Sequence, residues 1–255
     1  MIELKTEEEI RRMREAGVVV AKLLDGLVTR LAPGVRTREL DELAMKLLRS
    51  YRAEPAFLGY RGFPATICVS VNEEVVHGIP GNRTIREGDV VSLDAGAVIR
   101  GYYADAAITV TVGAVSPAAR RLVDTTKQAL DMGIRQARVG NRLSDISHAV
   151  QQVVEGAGFG IVRDFVGHGI GRAMHEEPPI PNFGAPDTGP RLKAGMVLAI
   201  EPMVTERGPE VEMLEDGWTA VTKDRSWAAH FEHTVAITEV GTEILTQADG
   251  QGKPH

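Results

Sequence analysis

Apolar positions recur at helical spacing from the Thr6 and Glu9 pair, a capping-box signature, to about Leu31, where APG at 32–34 stops the run. The same periodicity predicts a second helix over 37–51 and a fourth over about 144–155. A third opens at Ser116 and Pro117, serine as N-cap and proline at the first helical position, and ends near Gly140. Between the helices the pattern changes to short apolar runs bounded by turn residues. FLGYRGFPA at 57–65 reads as a loop, while TICVSV at 66–71 and DVVSLDAGAVI at 89–99 read as strands. The second of these turns at Arg100 and Gly101 and returns as YYADAAITVTV at 102–112, a hairpin pattern. Further strands are expected around 160–165, 196–204, 218–222 and 231–238. Helices followed by strands, twice over, predict an α+β fold with a largely antiparallel sheet rather than alternating βαβ units.

The two halves echo each other. GDVVSLD at 88–94 and GMVLAIE at 195–201 both place a carboxylate six residues after glycine, at the end of an apolar run, with an offset of 107. APGVRTREL at 32–40 and RVGNRLSDI at 138–146 align at an offset of 106. Nearly equal offsets point to an internal duplication, one domain made of halves at about 1–113 and 114–250.

Composition narrows the class without naming it. The 255 residues are 43% hydrophobic and 25% charged, which suits a globular chain and excludes a disordered one. A net charge of −6 argues against stable nucleic-acid binding, which favours a basic surplus. The lone Cys68 excludes an internal disulfide and fits a reducing compartment. The acidic start lacks the pattern of a signal peptide, and the run at 18–24, interrupted by Lys22, is too short to span a membrane. A cytoplasmic protein without a membrane partner is expected.

The chemistry-bearing residues sit in the strand-like runs. Around a turn centred between Ile99 and Arg100, Asp94 and Asp105 are equidistant and should face each other across the ladder. Two like charges there cost stability unless a cation sits between them; an exposed hairpin with two solvated aspartates is the other reading. Glu201 and Glu232 interrupt similar apolar runs. His168 lies between glycines in GHGIGR, and His175 follows seven residues later. By itself His168 reads as a loop residue and His77 as a core histidine, while GHGIGR lacks the setting and lysine of a phosphate loop. Taken together, four carboxylates and one histidine on two echoing halves fit a pair of divalent cations, Mn, Fe, Co or Zn. Two such ions roughly 3.5–4 Å apart would hold a bridging water as hydroxide and polarise a carbonyl.

FPATICVSVNEEVVHGIP (63–80), SLDAGAVIRGYYAD (92–105), GHGIGRAMHE (167–176), MVLAIEPM (196–203) and GWTAVTKDRSWAAHFEHTVAI (217–237), in this order and spacing, resemble the type I methionine aminopeptidases of the creatinase-like pita-bread fold. The resemblance implies Asp94, Asp105, His168, Glu201 and Glu232 as ligands of two divalent metal ions, with Asp105 and Glu232 bridging. It implies His77 and His175 as the residues touching the scissile peptide, and Tyr60, Phe63, Cys68 and Trp218 around the methionine side chain. The implied reaction removes initiator methionine from nascent polypeptides whose second residue is small, by a metal-bound hydroxide, in a monomer with transient ribosome association. The chain departs from that family at Met174, where an aromatic is frequent, at His230, where glutamine is usual, and at Trp227, where leucine is common. Ala106 and Ala107 stand where hydroxyl residues are frequent. Two rivals are weaker. An Xaa-Pro aminopeptidase or prolidase usually carries an additional N-terminal domain. A catalytically dead ribosome- or nucleic-acid-binding member would lose ligands and gain basic surface, whereas all five ligands and both histidines are present.

Overall fold

The computed structural model describes residues 1–248; the expected end of the second half, near 250, lies outside the described residues. Helix α1 (Glu7–Arg30) starts where its capping box forms: the Glu9 amide donates to Thr6 Oγ1 and the Thr6 amide to Glu9 Oε2. Helix α2 (Thr37–Ser50) follows, then strands β1 (Glu54–Pro55), β2 (Ile67–Val71), β3 (Glu74–Val76), β4 (Val90–Ile99) and β5 (Tyr102–Thr111). After β5 come α3 (Pro117–Gln136), capped by the Ser116 hydroxyl, and α4 (Leu143–Gly156). The strands that follow are β6 (Gly160–Ile161), β7 (Gly167–Gly169), β8 (Glu176–Ile180), β9 (Val197–Ile200), β10 (Met203–Thr205) and β11 (Val211–Met213). The last four are β12 (Ala220–Thr222), β13 (Ala228–His230), β14 (Glu232–Thr238) and β15 (Gly241–Ile244).

Nine strands form one sheet along the path β1-β4-β5-β14-β9-β7-β8, with β2 added to β4 and β15 to β14. Every pairing in it is antiparallel, as the order of helices and strands predicts. Two three-stranded sheets, β13-β10-β6 and β11-β12-β3, complete the fold.

Strand alternation sorts the residues onto two faces. On β4, Val91, Leu93, Ala95 and Ala97 join Leu23 and Leu27 of α1 and Leu40 and Leu48 of α2 in one core. On β9 and β14, Leu198, Ile200, Val235 and Ile237 pack with Leu130 and Ile134 of α3 and Ile146 of α4. Each Val, Leu or Ile among them, fully buried, contributes about 1.5–3 kcal/mol. The intervening residues, Asp94, Asp105, Glu232 and Thr234 among them, therefore point to the face away from the helices.

Three expectations shift in detail. The apolar run at 196–204 is two strands in different sheets, because Pro202 lacks the N–H needed to continue the ladder. The strand expected at 160–165 covers only Gly160–Ile161, and α3 stops at Gln136. Asp94 and Asp105 are not directly opposite. The hairpin turn occupies Arg100 (φ 52°) and Gly101 (φ 77°), so Asp94 pairs with Ala107 and Asp105 with Gly96. The two carboxylates are diagonal neighbours on one face instead. A side chain at Gly96, opposite Asp105, would collide with Ala56 and Phe57, so that position stays bare.

Candidate metal centre and substrate cavity

Two rows of residues cross the sheet on the face opposite those two cores. In one, Asp94 on β4 pairs with Ala107 on β5, which pairs with Glu232 on β14. Glu201 directly follows Ile200, whose partner on β14 is His233, the neighbour of Glu232. In the adjacent row, Asp105 is tied to Thr234, Thr234 pairs with Ala199, and Ala199 with His168. Small side chains at Ala107 and Ala199 leave space above the sheet between the charged ones. Four of the five chemistry-bearing residues thus converge from strand positions, and Glu201 stands one residue beyond the end of β9.

The cluster is buried and short of partners. Asp105 and Glu232 are 2% and 3% exposed, and His168 is 6% exposed. One ligand atom each from Asp105, His168 and Glu232 lie within 4.8 Å of one another. The His168 Nδ1–H donates to the Gly169 carbonyl (2.9 Å), which can only accept, so Nε2 is the atom turned toward the carboxylates. It stands 3.5 Å from Glu201 Oε1 and 3.7 Å from Asp105 Oδ2, too far for good hydrogen bonds. That spacing matches two ligands on one ion with bonds of about 2.0–2.2 Å. Asp94 Oδ1 is buried with no hydrogen-bond partner among the described residues. Burial, with further contributions from neighbouring carboxylates, raises the pKa values of Asp94, Glu201 and Glu232 above the ordinary carboxylate range; for Asp105 burial outweighs the Thr234 hydrogen bond. A cation among these groups answers the orphaned oxygen, the turned imidazole and the crowded charge together, so the residues fit a metal.

The two further histidines flank this floor. His77 holds a left-handed backbone (φ 60°), uncommon for a residue with a side chain, and its ring meets Phe165 and Trp218 edge-on. His175 stacks on Tyr60, with the Tyr60 hydroxyl 2.9 Å from Nδ1, and lies 4.1 Å from His168 between ring centroids. Burial, reinforced by other histidines, lowers their pKa values to about 4 for His77 and about 3 for His175. Both rings are neutral near neutral pH.

Asp94, Asp105, His168, Glu201, Glu232, His77, His175, Tyr60, Phe63, Cys68 and Trp218 all border one cavity. Its apolar end is a cluster of Phe57, Phe63, Cys68 and Met174, closed by Trp218 edge-on to Phe63. Phe57, Arg61 and Thr234 were not singled out by sequence. Phe57 sits in an apparent loop, Arg61 is visible only as a basic residue between aromatics, and the alternation after Glu232 was the one available signal for Thr234. Of the departures, Met174 forms part of the cavity wall and His230 places Nε2 3.7 Å from Glu201 Oε2. Trp227 packs instead against the separate core around Leu122 and Val204.

Cys68 pairs with Asp94 across β2 and β4 and is 4% exposed. Burial and the Asp94 charge hold its thiol well above the usual range. Thiol reagents at mildly alkaline pH are expected to leave the folded protein unlabelled and to label it fully in denaturant. Rapid labelling of the native protein would contradict this burial.

A curled sheet presenting carboxylates and imidazoles to an apolar slot defines a metal-dependent peptidase of the pita-bread class. The chain belongs to metallopeptidase family M24, whose pattern matches residues 11–239. It is similar to methionine aminopeptidases: 51% identical over 247 residues to that of Clostridium acetobutylicum, covering 96% of this chain and 99% of the other. Methionine aminopeptidase 1 of Bacillus subtilis is 50% identical, covering 97% and 100%. The crystal structure of methionine aminopeptidase from Thermotoga maritima superposes with a TM-score of 0.96 at 49% identity, covering 97% of this chain and all of that one.

Proposed function

We propose that the protein removes initiator methionine from nascent polypeptides with a small second residue, using two divalent ions, Co, Mn, Fe or Zn, held by Asp94, Asp105, His168, Glu201 and Glu232. The observation that carries this reading is the continuity of the apolar slot with the carboxylate floor in one cavity. When bound, the ions supply Lewis acidity and lower the pKa of a water. Asp105 and Glu232, in adjacent rows of the sheet, would each help to hold both ions. Asp94 would bring its unpartnered Oδ1, and Glu201 the oxygen beside His168.

The chain's own groups do the rest. The slot of Phe63, Cys68 and Trp218, rimmed by Tyr60, accepts a long unbranched side chain, and these apolar walls disfavour burying a charged one. When the Tyr60 hydroxyl, 2.9 Å away, donates to Nδ1, the neutral His175 ring carries its proton on Nε2, the tautomer that can donate to a substrate carbonyl. His77, neutral and gripped between aromatic edges, serves the peptide nitrogen side. The same reading takes the chain as one catalytic domain of two duplicated halves. It also takes the protein as a cytoplasmic monomer that meets nascent N-termini in transient contact with ribosomes. No described helix is long and apolar enough to cross a membrane.

The test is a peptide series Met-X-Ser with X as Gly, Ala, Ser, Val, Leu and Arg, beside Leu-Ala-Ser and Ala-Pro-Ser. Release of methionine is expected to fall steeply beyond Val, because bulk there meets the rim near His77 and Met174. Burying methionine in the slot is worth about 1.5–3 kcal/mol, so a terminal residue that cannot enter should lose roughly ten- to a hundredfold. Equal rates for Ala and Arg would refute the size rule. Faster cleavage of Ala-Pro-Ser than of Met-Ala-Ser would hand the site to the Xaa-Pro reading.

A further inference from the structure

His168 and His175 stand at the two ends of one short excursion between β7 and β8, with Met174 beside the second. What fixes that excursion lies outside the cavity. The amides of Arg172 and Ala173 both donate to Glu176 Oε1, at 2.8 and 3.1 Å. The other oxygen, Oε2, accepts from Lys5 Nζ at 2.7 Å, across 171 residues of sequence. The Lys5 side chain is 1% exposed, and its ammonium also meets Glu3 at 2.9 Å. Burial works against the charge, but the hydrogen bonds that the ammonium donates to Glu176 and Glu3, with their charges, outweigh it and hold the ammonium above its ordinary value. The lysine stem is threaded through a gap that only glycine leaves: a Cβ at Gly171 would sit 2.3 Å from Lys5 Cε and 2.7 Å from Glu176 Oε1. The Lys5 amide donates to the Gly195 carbonyl, which anchors the segment at the start of the run leading to Glu201.

A buried lysine is rare unless paired, and such a pair adds little net stability compared with apolar packing of the same volume. Its effect is better sought in what it orients. Glu176 is the immediate chain neighbour of His175, and its two oxygens divide the work, one closing the turn and one gripping the N-terminal segment. We propose that Lys5 is a positioning residue for hydrolysis: through Glu176 it fixes the turn that sets His175 and Met174 in the cavity. The role of His175 in this rests on the function proposed above; the clamp itself does not.

The test compares Lys5→Met, which keeps an unbranched stem between the glycines but removes the ammonium, with Glu176→Gln, which keeps an acceptor for the turn amides. Both proteins would be measured for kcat and KM on Met-Ala-Ser, Mn²⁺ affinity by calorimetry, melting temperature, and hydrogen exchange of the peptide spanning 168–178. Lys5→Met is expected to lose about 10–100-fold in kcat, the scale of a small misplacement of a catalytic group, with KM and Mn²⁺ affinity within about threefold of the parent. Exchange across 170–176 should rise while the melting temperature stays close to that of the parent. The double variant should be no slower than the slower single one, because both remove one link. Unchanged kcat and unchanged exchange in Lys5→Met would overturn the proposal, as would a kcat loss matched by lost Mn²⁺ or by global melting. If Lys5→Met folds poorly, Glu176→Gln reads the same link. A parent enzyme that fails to release methionine would refute the functional reading alone, and the exchange data would still decide the clamp.

Discussion

Glu232→Gln is expected to hold fewer than two metal ions per chain and to lose turnover by at least roughly 10³-fold, about 4 kcal/mol of transition-state stabilisation. The substitution is nearly isosteric, so packing around a residue that is 3% exposed is preserved while one negative charge goes. That charge lies where one ligand atom each from Glu232, Asp105 and His168 fall within 4.8 Å of one another. Chelation of the parent protein should have the same effect on activity. It should leave the fold intact, because the two large cores lie on the opposite face of the sheet and contain none of the cluster. Metal content by elemental analysis, read beside rates on Met-Ala-Ser, checks both halves of the expectation. Full activity after exhaustive chelation, or in the variant, would end the dinuclear proposal.

His77→Ala and His175→Ala should each lower turnover by about 10²–10⁴-fold, the range for proton-transfer and oxyanion groups, while metal content stays at the parent level. The arrangement gives the reason. Both rings are neutral near neutral pH and both face the cavity, but each is held by aromatic neighbours rather than by the carboxylates. For His175 the partner matters as much as the ring. The Tyr60 hydroxyl at Nδ1 is its hydrogen-bond partner among the described residues, and when that hydroxyl donates, the ring proton sits on Nε2. Loss of metal from either variant would make that histidine a ligand and overturn its assigned part.

The long elements were legible because local rules and tertiary demands agree there. Thr6, Glu9, Ser116 and Pro117 signal helix starts that the structure builds. The β4–β5 hairpin was readable from its turn residues, yet its register was off by one step at the centre, and one step there moved every partner by two. The short strands escaped notice for definite reasons. β8 contains Pro178 and Pro179, which count against a strand in any sequence reading, and β7 is three residues of Gly-His-Gly. The convergence of the site depends on these same strands. From spacing alone Asp94 and Asp105 could be paired, but nothing local places His168 beside Glu201, since β7 and β9 are joined only by the sheet. Residue chemistry in the strand-like runs could group Glu201, Glu232 and His168 with the aspartates, and the family resemblance implied their ligand roles.

The two rows across the sheet also determine what kind of sequence change the centre can survive. Each row is read in steps of two, so a single-residue insertion or deletion inside β5, β9 or β14 would turn its contribution to the helix side and bring an apolar residue into the cavity. A point substitution there removes one group; a frame slip removes a strand's whole share at once. A change of length is better absorbed in the connections, such as residues 206–210 ahead of β11.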